Sequence, residues 1–188
     1  MLSSSRFYNF LFYILIALAG LGLWYNITPS KKKPSYSTNN YDAFANQITS
    51  IQFSKIGKKH YQLNSLRINH YKYNNQTRIE NPTLYLFNSP KDTWIMTAEY
   101  ALATHGKEEI SFINQVNISG EENSSHEHTQ LLTEKISYFP SQNIATTPLP
   151  VIIIQPGSSI HSTGMNIDFS NNTINLNSNI TGRYIPQH

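Results

Sequence analysis

An all-β domain carried behind one N-terminal transmembrane helix is the architecture this sequence predicts. Three observations carry it: an uncharged apolar run from Phe7 to Tyr25, a two-residue alternation of apolar and polar side chains through most of the remainder, and recurring turn signals that cut that remainder into short strands. The apolar run FYNFLFYILIALAGLGLWY holds one amide, Asn9, and at 1.5 Å per residue it spans roughly 28 Å, close to the hydrocarbon thickness of a bilayer. Phe7, Tyr8 and Phe10 sit at one end and Trp24 and Tyr25 at the other, where aromatic rings suit a membrane interface.

A cleaved signal peptide is the competing reading, because Ala17-Leu18-Ala19 has the small-x-small pattern of a cleavage site. The run continues through Leu21, Leu23 and Trp24, which favours a retained anchor over residues 7–25, with residues 1–6 cytoplasmic. Charge opposes that orientation: Lys31, Lys32 and Lys33 outnumber Arg6, and the positive-inside rule keeps the larger group in the cytoplasm. Residues 26–42 are rich in Pro, Ser and Lys without an apolar period and read as a linker.

Strands follow over 43–188. Tyr41 to Phe53 is a transition ending in a first strand that holds Ile48 and Ile51. Tyr61 to Tyr71 alternates, Asn74-Asn75 and Asn81-Pro82 are turn signals, and Thr83 to Phe87 is a β-prone run closed by Asn88-Ser89-Pro90. Trp94, Met96 and Ala98 lie two apart on one sheet face. Ile110, Phe112, Val116 and Ile118 repeat the period around Asn114. Leu132, Ile136 and Tyr138 follow, then Ile144 with Thr146, and Val151 to Ile154 is a four-residue β-branched run. Ser162-Thr163-Gly164 reads as a turn before Met165, Ile167 and Phe169, and Ile174, Leu176 and Ile180 close the series. No segment after residue 55 keeps a 3.6-residue period, so a sandwich, a jelly roll or an up-and-down sheet remain open.

Composition narrows the function. The formal charge of +3 is carried by the N-terminal region: beyond Lys33 there are ten basic and eleven acidic residues, leaving no basic patch for nucleic acid. Cysteine is absent, which removes disulfides, thiolate metal ligands and a cysteine nucleophile. There is no Gly-x-Ser-x-Gly elbow and no phosphate-binding glycine loop. His126-Glu127-His128 has the look of a metal clamp but lies in a polar stretch without a third ligand at suitable spacing, and reads as a solvated loop. His70 and His161 are isolated, and nothing brings Glu99 and Asp168 together as a carboxylate pair. No cofactor and no metal are expected, and no enzymatic activity. The apolar set fits equally a packed core and a groove for acyl chains.

Several patches, read in order, resemble the lipopolysaccharide-export family LptC. Asn81-Pro82-Thr83-Leu84 leads into Thr93-Trp94-Ile95-Met96-Thr97-Ala98, similar to the family's Pro-x-Leu followed by Trp-x-hydrophobic-x-Ala. Val116-Asn117-Ile118, Leu132-Thr133 and Thr146 to Val151 take the places of later family elements. Gly157 and Ser162-Thr163-Gly164-Met165 are similar to its Gly and Gly-Met/Leu pair, and Ile180 to Tyr184 resembles its final strand. The resemblance implies a twisted, slightly open β-jelly roll that carries lipid A acyl chains and has no enzymatic activity. It implies an inner-membrane, single-pass protein with the β domain in the periplasm, bridging the transporter LptB, LptF and LptG to LptA. On this reading Ile68, Trp94, Met96, Phe112, Ile136, Tyr138, Ile153, Met165, Ile167, Ile174, Leu176 and Ile180 line the interior. Ile48, Ile51 and Phe53 at one edge, and Ile174 and Tyr184 at the other, dock partners by strand addition. Gly157 and Gly164 serve backbone geometry. Shielding is physically required, since a chain of a dozen exposed carbons costs on the order of 10 kcal/mol in water. A membrane-anchored carbohydrate-binding sandwich presenting Tyr71, Tyr73 and Tyr85, and a scaffold with a filled core, are the alternatives.

Overall fold

A computed structural model of the chain describes residues 41–89, 92–104, 108–120 and 128–185. The expected helix at 7–25, residues 1–6, nearly all of the 26–42 linker, and His126 with Glu127 lie outside these residues. Among the described residues no helix is long and apolar enough to cross a membrane.

The described residues form β1 (Ala43–Phe53), β2 (Lys59–Tyr71), β3 (Gln76–Glu80), β4 (Thr83–Ser89), β5 (Asp92–Thr97), β6 (Tyr100–Thr104), β7 (Glu109–Gly120), β8 (Gln130–Phe139), β9 (Ile144–Gln155), β10 (Ser158–Asp168) and β11 (Thr173–Tyr184). Every pairing is antiparallel. The ladder begins at β1, which pairs only with β2, and ends at β11, which pairs only with β10. Between them it forks. The first half of β2 pairs with β4 and the second half with β3, β4 continues to β5 and β3 to β6, and both branches rejoin on opposite halves of β7. The fork separates two layers, and the long strands β1, β2 and β7 to β11 each contribute one half to each.

Where a long strand changes layer its ladder is interrupted, and the sequence supplies replacements. In β7 the register shifts between Ile113 and Val116, with Asn114 and Gln115 at φ +63° and +50°. In β10 it shifts between Thr163 and Met165 at Gly164, φ +82°. In β1 Gln47 has φ +51°, and in β11 Asn179 has +52°. Asn tolerates the left-handed region better than most side chains, so these positions bend the strand at low steric cost. In β9 residues 147–150 have no partner on β8, and this stretch holds Pro148 and Pro150, which have no N–H to lose. Freed backbone groups find side chains: Ser65 Oγ donates to the carbonyls of Arg67 and Glu80 at 2.9 Å, Thr133 Oγ1 donates to Pro150 O at 2.9 Å, and Leu149 N donates to Thr147 Oγ1 at 3.1 Å.

The core is built of cross-strand rows. Ala45, Ile68, Ile79, Ala101, Phe112 and Ile136 stand opposite one another along β1, β2, β3, β6, β7 and β8. Ser50, Leu63, Leu84, Met96, Ile118, Leu131 and Ile153 do the same along β1, β2, β4, β5, β7, β8 and β9. One row belongs to each layer, and apart from Ala45 and Ser50 on β1 their side chains join a single hydrophobic cluster.

Several sequence expectations need correction. The short strands β3 and β6 escape the alternation pattern because each is five residues long. Ser162-Thr163-Gly164 is a bend inside β10, since the glycine redirects the strand without reversing it. Ala98 lies beyond the end of β5. In β8 and β9 Leu131, Ala145 and Thr147 are buried, one position away from Leu132, Ile144 and Thr146; in β8 the register shift between Thr133 and Ser137 moves the count by one.

Gly164→Ala should lower stability by about 1–3 kcal/mol, since its φ is left-handed and the new Cβ would stand 2.6 Å from Asn177 Nδ2. Adding Asn177→Ala should recover the contact part of that loss and leave the backbone part. Gly182→Ala, whose Cβ would meet nothing nearer than 3.9 Å, should be near neutral. Urea midpoints of the three variants check this, and equal losses at Gly164 and Gly182 would refute it.

Candidate functional site

The residues expected to line the interior meet in one place, and that place is closed. Trp94, Met96, Phe112, Ile136, Tyr138, Ile153, Met165 and Ile167 are all buried, at no more than 6 % exposure. A wall of a water-filled trough would keep accessible area, and these side chains keep almost none. Ile68, Ile174 and Leu176 are half-buried against the same cluster. Ile180 is a correction: it is 56 % exposed, because the period counted from Leu176 breaks at Asn179 and β11 is an edge strand. The expected lining left out Leu84, Leu86 and Phe169, which are equally buried. The alternation within Thr83 to Phe87 could have found the first two. Phe169 stands one residue past β10 and continues the alternation of Met165 and Ile167.

Phe169 is the centre of a latch that closes one end of the sandwich. Its ring lies edge-on to Trp94 at 6.0 Å and to Tyr138 at 6.1 Å between centroids, so it touches aromatic side chains of both layers. Around it the turns are tied by amides. Asn88, at the end of β4, donates from Nδ2 to Phe169 O. Asn143, in the β8–β9 turn, donates to Asn88 Oδ1 at 3.3 Å and to Ser170 Oγ at 3.1 Å, while its Oδ1 accepts from Tyr138 OH at 3.1 Å. Asn172, after β10, donates to Asp92 Oδ2 at 2.7 Å across to β5. Asn143 and Asn172 hold φ of +55° and +52°, so the tight turns that present these amides use the same left-handed backbone as the bends. Burial pushes the Tyr138 hydroxyl pKa up, with Tyr61 nearby adding to the shift, and Tyr61 is itself raised by burial. Asp168 is held below the usual carboxylate range by the Asn171 side-chain amide and by backbone N–H groups of Asn171 and Ser170.

Both ends of the ladder carry exposed apolar side chains. Phe44, Ile51 and Phe53 project from β1, with Tyr41 just before it and Leu66 on neighbouring β2. Arg67 packs its guanidinium over the Tyr41 and Phe44 rings at 5.2 and 5.1 Å. Ile48 is half-buried. At the other end Ile180 and Tyr184 are exposed on β11, with Ile185 following. Unpaired edge strands flanked by apolar surface are templates for strand addition. Gly157 supplies the positive φ, +69°, of the two-residue turn between β9 and β10.

Other candidates have local roles. His70 Nδ1 lies 3.1 Å from Thr77 Oγ1 on the adjacent strand, and His161 is exposed on β10. Glu99 Oε2 accepts from Asn114 Nδ2 at 2.9 Å, bracing the β7 bend. Among the described residues no three His, Asp or Glu side chains could hold a metal ion. Tyr71 packs edge-on to Tyr73, whereas Tyr85 stacks on Phe87 and pairs with Gln62, nine residues along β2 from Tyr71. At about 3.3 Å per residue that is roughly 30 Å, so the tyrosines form no common platform.

The chain matches the family described as lipopolysaccharide-assembly, LptC-related, over residues 12–185. It is similar in structure to LptH of Pseudomonas aeruginosa, the LptA-homologous periplasmic component of that organism's lipopolysaccharide transport device. The two share 12% identity with a TM-score of 0.50, over 74% of this chain and 96% of that one. At that identity the likeness is one of fold, an LptA-like jelly roll. No curated protein is matched.

The latch makes stability pH-dependent in the alkaline range. A hydroxyl whose folded pKa is raised contributes stability in full below its ordinary value of 10.0, and that contribution falls as pH rises from there toward the folded value. Tyr138→Phe should cost about 1 kcal/mol at neutral pH, for the lost bond to Asn143, and make the decline above pH 10 shallower. Urea denaturation across that range measures both, and an unchanged alkaline slope would count against the buried hydroxyl as its source.

Proposed function

The chain belongs to the LptC-related lipopolysaccharide-assembly family, and from that premise we propose that it takes lipopolysaccharide from the inner-membrane transporter and hands it on across the periplasm. Residues 7–25 anchor it in the inner membrane and the β domain stands in the periplasm. LptB, LptF and LptG deliver the lipid, its acyl chains pass between the two layers, and LptA receives it at β11. The protein performs no enzymatic step, and energy comes from ATP hydrolysed by the transporter.

The observation that supports this reading most directly is the open-ended ladder: one apolar interior lies between two long edge strands, β1 and β11, each with a single partner. Strand addition at β1 would join a similar domain of the transporter, and addition at β11 would join LptA. Continuous ladders would then align apolar interiors from one domain to the next. Because the interior is packed when empty, a passing acyl chain must displace side chains. The β1 and β11 sides, where Ile68, Ile160, Ile174 and Leu176 are only partly covered, require the least displacement. The methionines Met96 and Met165, central in the core, have unbranched side chains that repack around a guest at low cost.

Photo-crosslinkers at Trp94, Ile167 and Ile174 should capture lipopolysaccharide when transporter and ATP are present, while one at the outer-face residue Tyr85 should not. Capture at Tyr85 alone would reject the interior route. Ile180→Glu with Tyr184→Glu alters two exposed positions, so the melting temperature should hold while affinity for LptA drops about tenfold or more, as expected for centrally placed apolar contacts. Undiminished binding would remove β11 as the docking edge.

A further inference from the structure

The β1–β2 hairpin and the end of the β4–β5 pair enclose a surface cleft of about 760 Å³, within the range of small-ligand sites. Lys58, Lys59 and His60 line it beside the apolar Ile56 and Phe87. The other described lining groups are hydroxyls and one amide, with no carboxylate among them. Neither Lys58 nor Lys59 is ion-paired to a described residue, and the Lys59 ammonium stands 5.8 Å from the centre of the Phe87 ring.

The hairpin holds these groups in place. Ser54 N donates to Lys58 O at 2.7 Å, Gly57 N donates to Ser54 O at 3.0 Å, and Lys58 N donates to Ser54 Oγ at 3.2 Å. Gly57 turns the chain at φ +78°. The turn leaves Ile56 78 % exposed at the tip, next to Phe53 at 57 %. Among the described residues, two ammonium groups without an ion partner, hydroxyl donors, no opposing carboxylate and adjacent apolar surface together suit an anion that carries hydrocarbon.

We infer that this cleft binds the phosphate-bearing headgroup of the transported lipid, with Lys58 and Lys59 on the phosphate and the first methylenes of its acyl chains against Ile56 and Phe87. The identity of that lipid rests on the transport reading above. Asn88 joins the cleft to the interior, because it lines the cleft and its side-chain amide also fastens Phe169 and Asn143. A headgroup phosphate that accepts from Asn88 Nδ2 competes with the Phe169 carbonyl, so occupancy of the cleft loosens the latch beside it.

Binding of the full-length chain, in neutral detergent, to lipopolysaccharide and to the same material stripped of phosphate with hydrogen fluoride tests the inference. The wild type should prefer the phosphorylated form about tenfold, as expected for a charge-assisted pair at a partly exposed site. Lys58→Ala with Lys59→Ala should abolish that preference, and Lys58→Arg with Lys59→Arg should keep it. Both lysines are exposed, so the melts should coincide with wild type. An unchanged preference in the alanine pair would overturn the cleft and leave the transport reading standing. So would an equal loss in the distant pair Lys72→Ala with Lys135→Ala, or phosphatidylglycerol competing as well as lipopolysaccharide. Wild type that binds neither form would overturn both.

Discussion

The long strands of this domain must pass from one layer to the other without leaving backbone N–H and C=O groups unpaired, and the rest of the structure depends on how they do it. A strand that bends sharply loses ladder hydrogen bonds at the bend, and a buried orphan group is expensive. Here the loss is met by residues suited to it: Asn and Gln in left-handed backbone, Gly164 where a Cβ would collide, prolines that lack a donor, and Ser65 and Thr133 hydroxyls turned onto freed carbonyls. Because the bends fall in register from strand to strand, the two layers face each other along their length and enclose one interior. Its rows of apolar side chains follow from that alignment.

For the proposed passage of acyl chains, a fully packed interior presents an apparent conflict. An open trough would expose apolar surface to water for as long as it stood empty, at about 25 cal/mol per Å². Packing the walls against each other avoids that, and the guest then exchanges one apolar contact for another. On the transport reading, net transfer would then be close to neutral in free energy, which would suit a carrier that must release what it accepts. The amide cluster around Phe169 fastens one end of the sandwich, whereas the β1 and β11 ends have no comparable tie among the described residues. The side-chain ties between turns are therefore concentrated at one end of the sandwich.

Much of the fold was legible because antiparallel strands covered on one face write a period of two into the chain. Trp94 with Met96 and Met165 with Ile167 could be assigned to the interior by spacing alone. The errors share a physical origin. A bulge shifts the count by one without changing composition, so Leu132 was taken for Leu131 and Ile180 for an inward residue. The strand β3 fits between two turn signals and is too short to show a period. The latch was not legible at all: Asn88 at the end of β4 and Asn143 and Asn172 in two separate turns lie far apart in sequence, and only the closed sandwich brings them together. An asparagine-rich sequence conceals which asparagines matter.

The two ends of the ladder are unlike. One presents β1 with its aromatic surface and Arg67, the other β11 with Ile180 and Tyr184. Under the proposed strand addition, a unit with a distinct head and tail would join others in one direction, as a monomer does in a polar polymer. Such an array has a built-in sense of travel before any energy is spent. It also has no natural length, because each added unit recreates the end it covered. How many units stand in line must then be fixed from outside, by whatever occupies the first head and the last tail.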